Sequence, residues 1–145
     1  KQLYKPVGFS CSGESYSVWG KEGASVCIVT YGRMFSFACL ALEKLSRKNI
    51  SARIIKLNRV KPIPLGAVDS AKDAGKIFFF EESILQGGVG EQFGFLLSQN
   101  GFSGRYVLTG IDGHFVKQAS MQQTLAELGL DADGIYKTIV TECGE

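Results

Sequence analysis

Histidine is almost missing from this chain: its 145 residues include a single one, His114. The four cysteines, Cys11, Cys27, Cys39 and Cys143, form no C-x-x-C pair, so a zinc centre would have to be gathered from scattered ligands, and none is expected. Charge of one sign is also scarce, with 16 basic against 14 acidic residues and a net charge of +2. A field that weak does not steer a protein toward nucleic acid or an anionic membrane, so neither is expected as a partner. No apolar run approaches the ~18 residues of a membrane-spanning helix, and no basic-then-apolar leader opens the chain. The first residue is Lys1 rather than methionine, which reads as an excised or processed piece of something longer.

Apolar residues, at 45%, are plentiful enough for one core. Cys27 falls in an apolar strand-like run and Cys39 in an apolar helical one. Both read as small reduced core residues, which places the protein in the cytoplasm.

Residues 1–24, with Gly8, Gly13, Gly20 and Gly23 among Ser, Tyr and Trp19, read as an irregular leading segment with a short strand at Tyr16 to Trp19, and residues 25–145 as the domain proper. Ser25 to Tyr31 is β-rich and Gly32 ends it, just before Met34 to Arg47 repeats apolar residues at helical spacing. Ala52 to Leu57 is the next strand, and strand, helix, strand with short connections means parallel strands joined by a right-handed crossover. A short helix runs from Pro64 toward Gly75. Ile77-Phe78-Phe79-Phe80 follows without alternation, as expected of a strand buried on both faces. A helix over Gly90 to Gln99 ends at Asn100-Gly101, and Arg105 to Thr109 is another strand. Ser120 and Gln123 have capping-box spacing, with Gly129 as terminator; Asp131 caps a last helix whose Ile135, Ile139 and Val140 are expected to dock on the domain or on a neighbour.

The most informative stretch is the carboxylate pair Glu81-Glu82 at the end of the phenylalanine strand, followed by Gly87-Gly88-Val89-Gly90 at a helix start. Ligands and partners meet the carboxyl ends of strands in open α/β sheets. Neighbours on a strand point to opposite faces, so the two carboxylates cannot aim at one substrate atom as an acid/base pair. One is expected to accept hydrogen bonds from loop or helix-start N–H groups and the other to be solvated. Gly87, Gly88 and Gly90 ahead of a helix make a small-anion site thinkable, with Arg33 or Lys61 nearby. Gly88, Gly90 and Gly94 with Asp112 as ribose acid do not make a dinucleotide fingerprint, because Glu81 to Gln86 separate the strand end from the first glycine. The turn at Arg33 has neither the acidic cluster of a receiver domain nor the phosphate loop of a flavodoxin. His114 beside Asp112 has no serine or cysteine elbow to complete a hydrolytic set. No catalytic, cofactor-binding or metal-binding residue is assigned; Arg33, Glu81, Gly87, Gly88 and Gly90 remain candidates for an anion or interface site.

Several segments in order carry a family likeness: Gly20-Lys21-Glu22-Gly23, Tyr31-Gly32-Arg33-Met34, Asn49-Ile50-Ser51-Ala52-Arg53, Arg59-Val60-Lys61-Pro62, Glu81-Glu82 with Gly87 to Gly90, and Leu125 to Ile135. Together they make residues from about Trp19 to Val140 resemble the C-terminal, third domain of transketolase-type thiamine-diphosphate enzymes, nearest the 1-deoxy-D-xylulose-5-phosphate synthase branch. The resemblance implies a three-layer α/β sandwich on a five-stranded, mostly parallel sheet with one antiparallel edge strand. It implies a dimeric parent that uses thiamine diphosphate and magnesium to condense pyruvate with glyceraldehyde 3-phosphate on the way to isoprenoid precursors. It also implies a domain that supports assembly and needs the preceding domains as partners. The cofactor-binding Gly-Asp-Gly with a downstream asparagine is not here: Asp112-Gly113 follows Ile111, and no asparagine occurs after Asn100. An alternative is a regulatory module that binds a small anion.

Overall fold

The computed structural model describes residues 6, 9, 13–111 and 120–144. Five strands and five helices follow one another as β1 (Tyr16–Gly20), β2 (Val26–Tyr31), α1 (Met34–Arg47), β3 (Ala52–Leu57), α2 (Leu65–Ala71), β4 (Lys76–Ile84), α3 (Val89–Gln99), β5 (Arg105–Ile111), α4 (Met121–Leu128) and α5 (Ala132–Glu142). They form one sheet in the order β1-β3-β2-β4-β5. The β1/β3 pair is antiparallel, while β3, β2, β4 and β5 run parallel to one another. This is the α/β architecture expected, and the short strand at the start of the chain supplies the antiparallel edge.

Side chains alternate across the strands, and that alternation sorts the core into two layers. Val26, Ile28, Ala52, Ile54, Phe78 and Phe80 point to one face, where they pack with Ala38, Leu45, Leu125, Ile135 and Ile139 of α1, α4 and α5. Cys27, Val29, Ile55, Leu57, Ile77 and Phe79 point to the other, against Ala67 and Val68 of α2 and Phe93 and Leu97 of α3. Ile77 through Phe80 are completely buried, because β4 lies inside the sheet with helices covering it on both sides.

The helix ends follow local chemistry. Ser120 Oγ accepts from the Gln123 amide while Gln123 Oε1 accepts from the Ser120 amide, and Gly129 closes α4 at φ +72°. Asp131 Oδ1 caps α5 through the Gly134 amide at 2.8 Å. After α1 the chain turns through Asn49 at φ 58°, and the Ile50 amide donates back to the Leu45 carbonyl. Ahead of β1, the Phe9 ring packs 4.6 Å from that of Phe35 and edge-on to Trp19 at 6.1 Å.

Of the two covers open to α5, the domain itself supplies it: Ile135 and Ile139 are fully buried in its core, where α5 packs along α1.

Candidate functional site

The carboxyl ends of β2 and β4 lie side by side, and alternation decides where their last side chains go. Glu81 shares the face of Ile77 and Phe79, under α3; Glu82 points to the opposite face, where α1 begins. Glu81 is completely buried. Its Oε1 accepts a hydrogen bond from the Gly90 amide at 3.0 Å, in the first turn of α3, and its Oε2 accepts one from the Tyr31 hydroxyl, also at 3.0 Å. Burial pushes the Glu81 carboxyl above its ordinary value, against the opposing pull of the Gly90, Tyr31 and Val89 donors. The Tyr31 phenol is likewise pushed up, by burial first and then by its bond to Glu81. Tyr106 on β5 closes the arrangement by donating to the Gly90 carbonyl at 2.5 Å; burial and the Glu81 charge raise its phenol too.

The glycines make room for this carboxylate. A Cβ on Gly88 would come within 2.6 Å of the Ile84 carbonyl oxygen and 2.8 Å of Glu81 Oε1. A Cβ on Gly90 would run into Leu108 and stand 2.8 Å from Glu81 Oε1. Gly94, one turn on, faces the Tyr106 ring, where a Cβ would be 2.7 Å from Cε2. Close approach of helix to sheet explains these three positions; at Gly87 it is the backbone itself, at φ +75°, that calls for glycine.

Glu82 and Arg33 form a two-pronged ion pair, with Arg33 Nε donating to Glu82 Oε1 at 2.6 Å and Nη2 to Oε2. Sequence reasoning left Glu82 or its neighbour solvated and Arg33 open to a phosphate; residues 49 positions apart instead satisfy each other. The structure therefore brings Glu81, Gly88 and Gly90 together on one side of the sheet end and sets Arg33 with Glu82 on the other. Asp112, Gly113 and His114 lie outside the described residues.

One buried cation escaped the sequence reading. Arg53, on the second position of β3, is 7% exposed and donates through Nη2 to the Ser70 carbonyl at the end of α2, while its Nε has no partner. It lies beside Cys27, whose thiol burial drives up to about 12; the Arg53 charge pulls the other way. No cluster of three or more His, Cys, Asp or Glu side chains suited to a metal occurs among the described residues. None of the described helices is long and apolar enough to cross a membrane.

Comparison with known proteins adds to this geometry. Residues 16–135 match the family described as the C-terminal domain of transketolase. A protein named 1-deoxy-D-xylulose-5-phosphate synthase from Clostridium botulinum (strain Alaska E43 / Type E3) is 32% identical over 129 residues, covering 87% of this chain and 21% of its own length. Its namesake from Haemophilus influenzae (strain PittGG) is 31% identical over 121 residues, covering 83% and 19%. The chain thus spans about a fifth of the length of these curated relatives. Among solved structures, a split-gene transketolase in an inactive β4 tetramer superposes with a TM-score of 0.79 at 26% identity, over 97% of this chain and 46% of that one. A transketolase from Campylobacter jejuni shares the fold alone, with a TM-score of 0.68 at 10% identity over 96% of this chain and 20% of that one.

Proposed function

We propose, from the premise that this chain belongs to the family of transketolase C-terminal domains, that it is an assembly domain which builds the frame of a reaction centre housed elsewhere. The parent is read as a 1-deoxy-D-xylulose-5-phosphate synthase, after the name its relatives carry. Its reaction joins a two-carbon unit from pyruvate to glyceraldehyde 3-phosphate, with loss of carbon dioxide, for isoprenoid precursors. Thiamine diphosphate and magnesium serve that reaction in the preceding domains, which are this domain's first partners; a second copy of the assembly completes a homodimer.

The observation that carries the reading is the self-sufficiency of the sheet end. A helix start flanked by glycines is an anion site when its N–H groups are free. Here the Gly90 amide already donates to Glu81, and a diphosphate placed there would meet that carboxylate at once. A diphosphate therefore does not fit this helix start. Arg33 is engaged by Glu82 in the same way. The reading of an anion-binding regulatory module draws no support from this arrangement.

Self-association has its own support in the split-gene transketolase whose β chains form a tetramer. The cytoplasmic assignment draws on two unpaired thiols held in the core, Cys27 and Cys39. Affinity capture tests the assembly reading. The preceding domains of the parent, expressed as a separate polypeptide, are expected to bind the 145-residue chain and co-elute with it; two species that never associate would refute it.

A further inference from the structure

Asn100 and Gly101 close α3 with a full set of cap bonds. The Gly101 amide donates to the Ser98 carbonyl at 3.3 Å and the Phe102 amide to that of Leu97 at 3.0 Å, while Gly101 takes the left-handed conformation at φ +86°. The Asn100 side chain adds a third tie, its Nδ2 donating to the Leu96 carbonyl at 2.7 Å. Phe102, half-buried against the core layer under α3, anchors the turn. Asn100 and Gly101 themselves are exposed, and an open cavity of about 440 Å³, lined also by Lys72, Asp73 and Ser103, gives water access to them.

Of the three asparagines in the chain, only this one precedes glycine; Asn49 is followed by Ile50 and Asn58 by Arg59. An asparagine carboxamide can close a small ring with the amide nitrogen of the next residue, and glycine has no side chain to obstruct that closure. A Cβ on Gly101 would meet nothing within 4 Å, so the surroundings do not obstruct it either.

We propose that Asn100 is a self-modification site, converted slowly to an aspartyl or isoaspartyl residue by its own neighbour, at a rate that the α3 cap controls. The Gly101 nitrogen bonds to Asn100 Cγ, the C–N bond of the carboxamide breaks, and ammonia leaves with the Gly101 amide proton. Water then opens the cyclic imide, at Cγ to give an aspartyl side chain or at the backbone carbonyl to give an isoaspartyl link. No oxidant or reductant takes part. In the native turn both reacting groups are held off this path, the carboxamide on Leu96 and the Gly101 N–H on Ser98. At ψ 17° the Gly101 nitrogen is also turned away from the Asn100 side chain. The last turn of α3 must therefore open first, and the reaction follows local opening of this helix end.

Either product damages the cap that delayed it. A carboxylate at position 100 has no donor for the Leu96 carbonyl and sets negative charge on the negative end of the helix dipole. An isoaspartyl link lengthens the main chain by one carbon and takes Gly101 and Phe102 out of register with Ser98 and Leu97. The chain thus carries a one-way mark of its age, at the end of a helix that helps to cover the sheet.

Peptide mapping by mass spectrometry of the full 145-residue chain, aged for weeks at pH 8 in heavy-oxygen water, is the test. The peptide containing Asn100 is expected to gain the mass of amide-to-acid conversion with one heavy oxygen, in two chromatographically separable forms, while Asn49 and Asn58 stay amides. Unfolding in urea removes the cap and is expected to speed the conversion at least about tenfold. Phe102→Ala takes away the anchor and is expected to speed it without urea, in a chain whose far-UV spectrum stays native. Asn100→Gln is expected to stay unmodified, because its longer side chain closes a ring far less readily. A native Asn100 that remains wholly amide over those weeks overturns the proposal. Conversion as fast in the folded chain as in urea, or a rate indifferent to Phe102→Ala, overturns it too, since either result denies the cap its control.

Discussion

Glu81 Oε1 lies 3.0 Å from the amide nitrogen of Gly90, so a strand-end carboxylate fills the first turn of the helix that follows it. The glycine cluster that invites a phosphate reading is thus the space cleared for a side chain nine residues upstream. Two tyrosines finish the arrangement, Tyr31 on the carboxylate and Tyr106 on the Gly90 carbonyl.

Gly90→Ala is expected to destabilise the domain by about 1–3 kcal/mol, since the new methyl must displace Leu108 and Glu81 in a packed layer. Gly75→Ala is the control: a Cβ there meets nothing within 4 Å, and no positive φ has to be held. Urea midpoints of the two variants measure the difference; equal midpoints would remove the close-approach explanation.

Burial raises the Glu81 carboxyl, so the folded state holds that proton more tightly than the unfolded chain does. The stability this group contributes is complete below its ordinary value of 4.5 and is lost as pH rises through the raised folded value. Glu81→Gln keeps an acceptor for Gly90 without the charge. Its unfolding free energy is expected to gain on wild type as pH climbs from 4.5 toward neutrality. Glu81→Ala orphans the Gly90 amide and is expected to cost about 2 kcal/mol at pH 4.5, a deficit that narrows as pH rises because this variant, like Glu81→Gln, has no carboxyl to ionise. Urea titrations of the three proteins across that range decide it, and a wild-type-to-Gln gap independent of pH would contradict the assignment.

Inorganic phosphate and thiamine diphosphate are expected to leave the melting temperature of the chain unchanged beyond general salt effects, because Glu81 and Glu82 already engage Gly90 and Arg33. A saturable rise with phosphate, abolished by Arg33→Ala, would revive the anion-binding alternative.

Cys27 and Cys39 are buried, and burial lifts each thiol to about 12. Both are expected to resist a thiol reagent at pH 8 in the native protein and to react fully once urea unfolds it. Peptide mapping after labelling reads each site; native labelling at Cys27 would mean that the β2–β3 layer opens far more readily than its packing implies.

Much of the fold could be read from periodicity and punctuation. The unbroken Ile77 to Phe80 run announces a strand covered on both faces, and Ser120, Gly129 and Asp131 mark helix ends by chemistry that acts within a few residues. Alternation also separates Glu81 from Glu82. What it cannot supply is the partner: Gly90 is near in sequence, but Tyr31 and Arg33 reach the two carboxylates from 50 and 49 positions away, across a parallel pairing that sequence spacing does not encode. The last helix left its cover undecided for the same reason. An apolar stripe says that something will cover it, and only the packing against α1 says that the cover is internal. The exposure of Leu65 and Phe95 carried no signal, because an exposed apolar residue and a buried one look alike until the layers are placed.

Turnover tests the central claim most directly. Carbon dioxide release from pyruvate and glyceraldehyde 3-phosphate, with thiamine diphosphate and magnesium supplied, is measured for this chain alone, for the preceding domains of the parent alone, and for the two mixed. The account predicts release only from the mixture, with the chain alone at background. Release by the 145-residue chain on its own would contradict it.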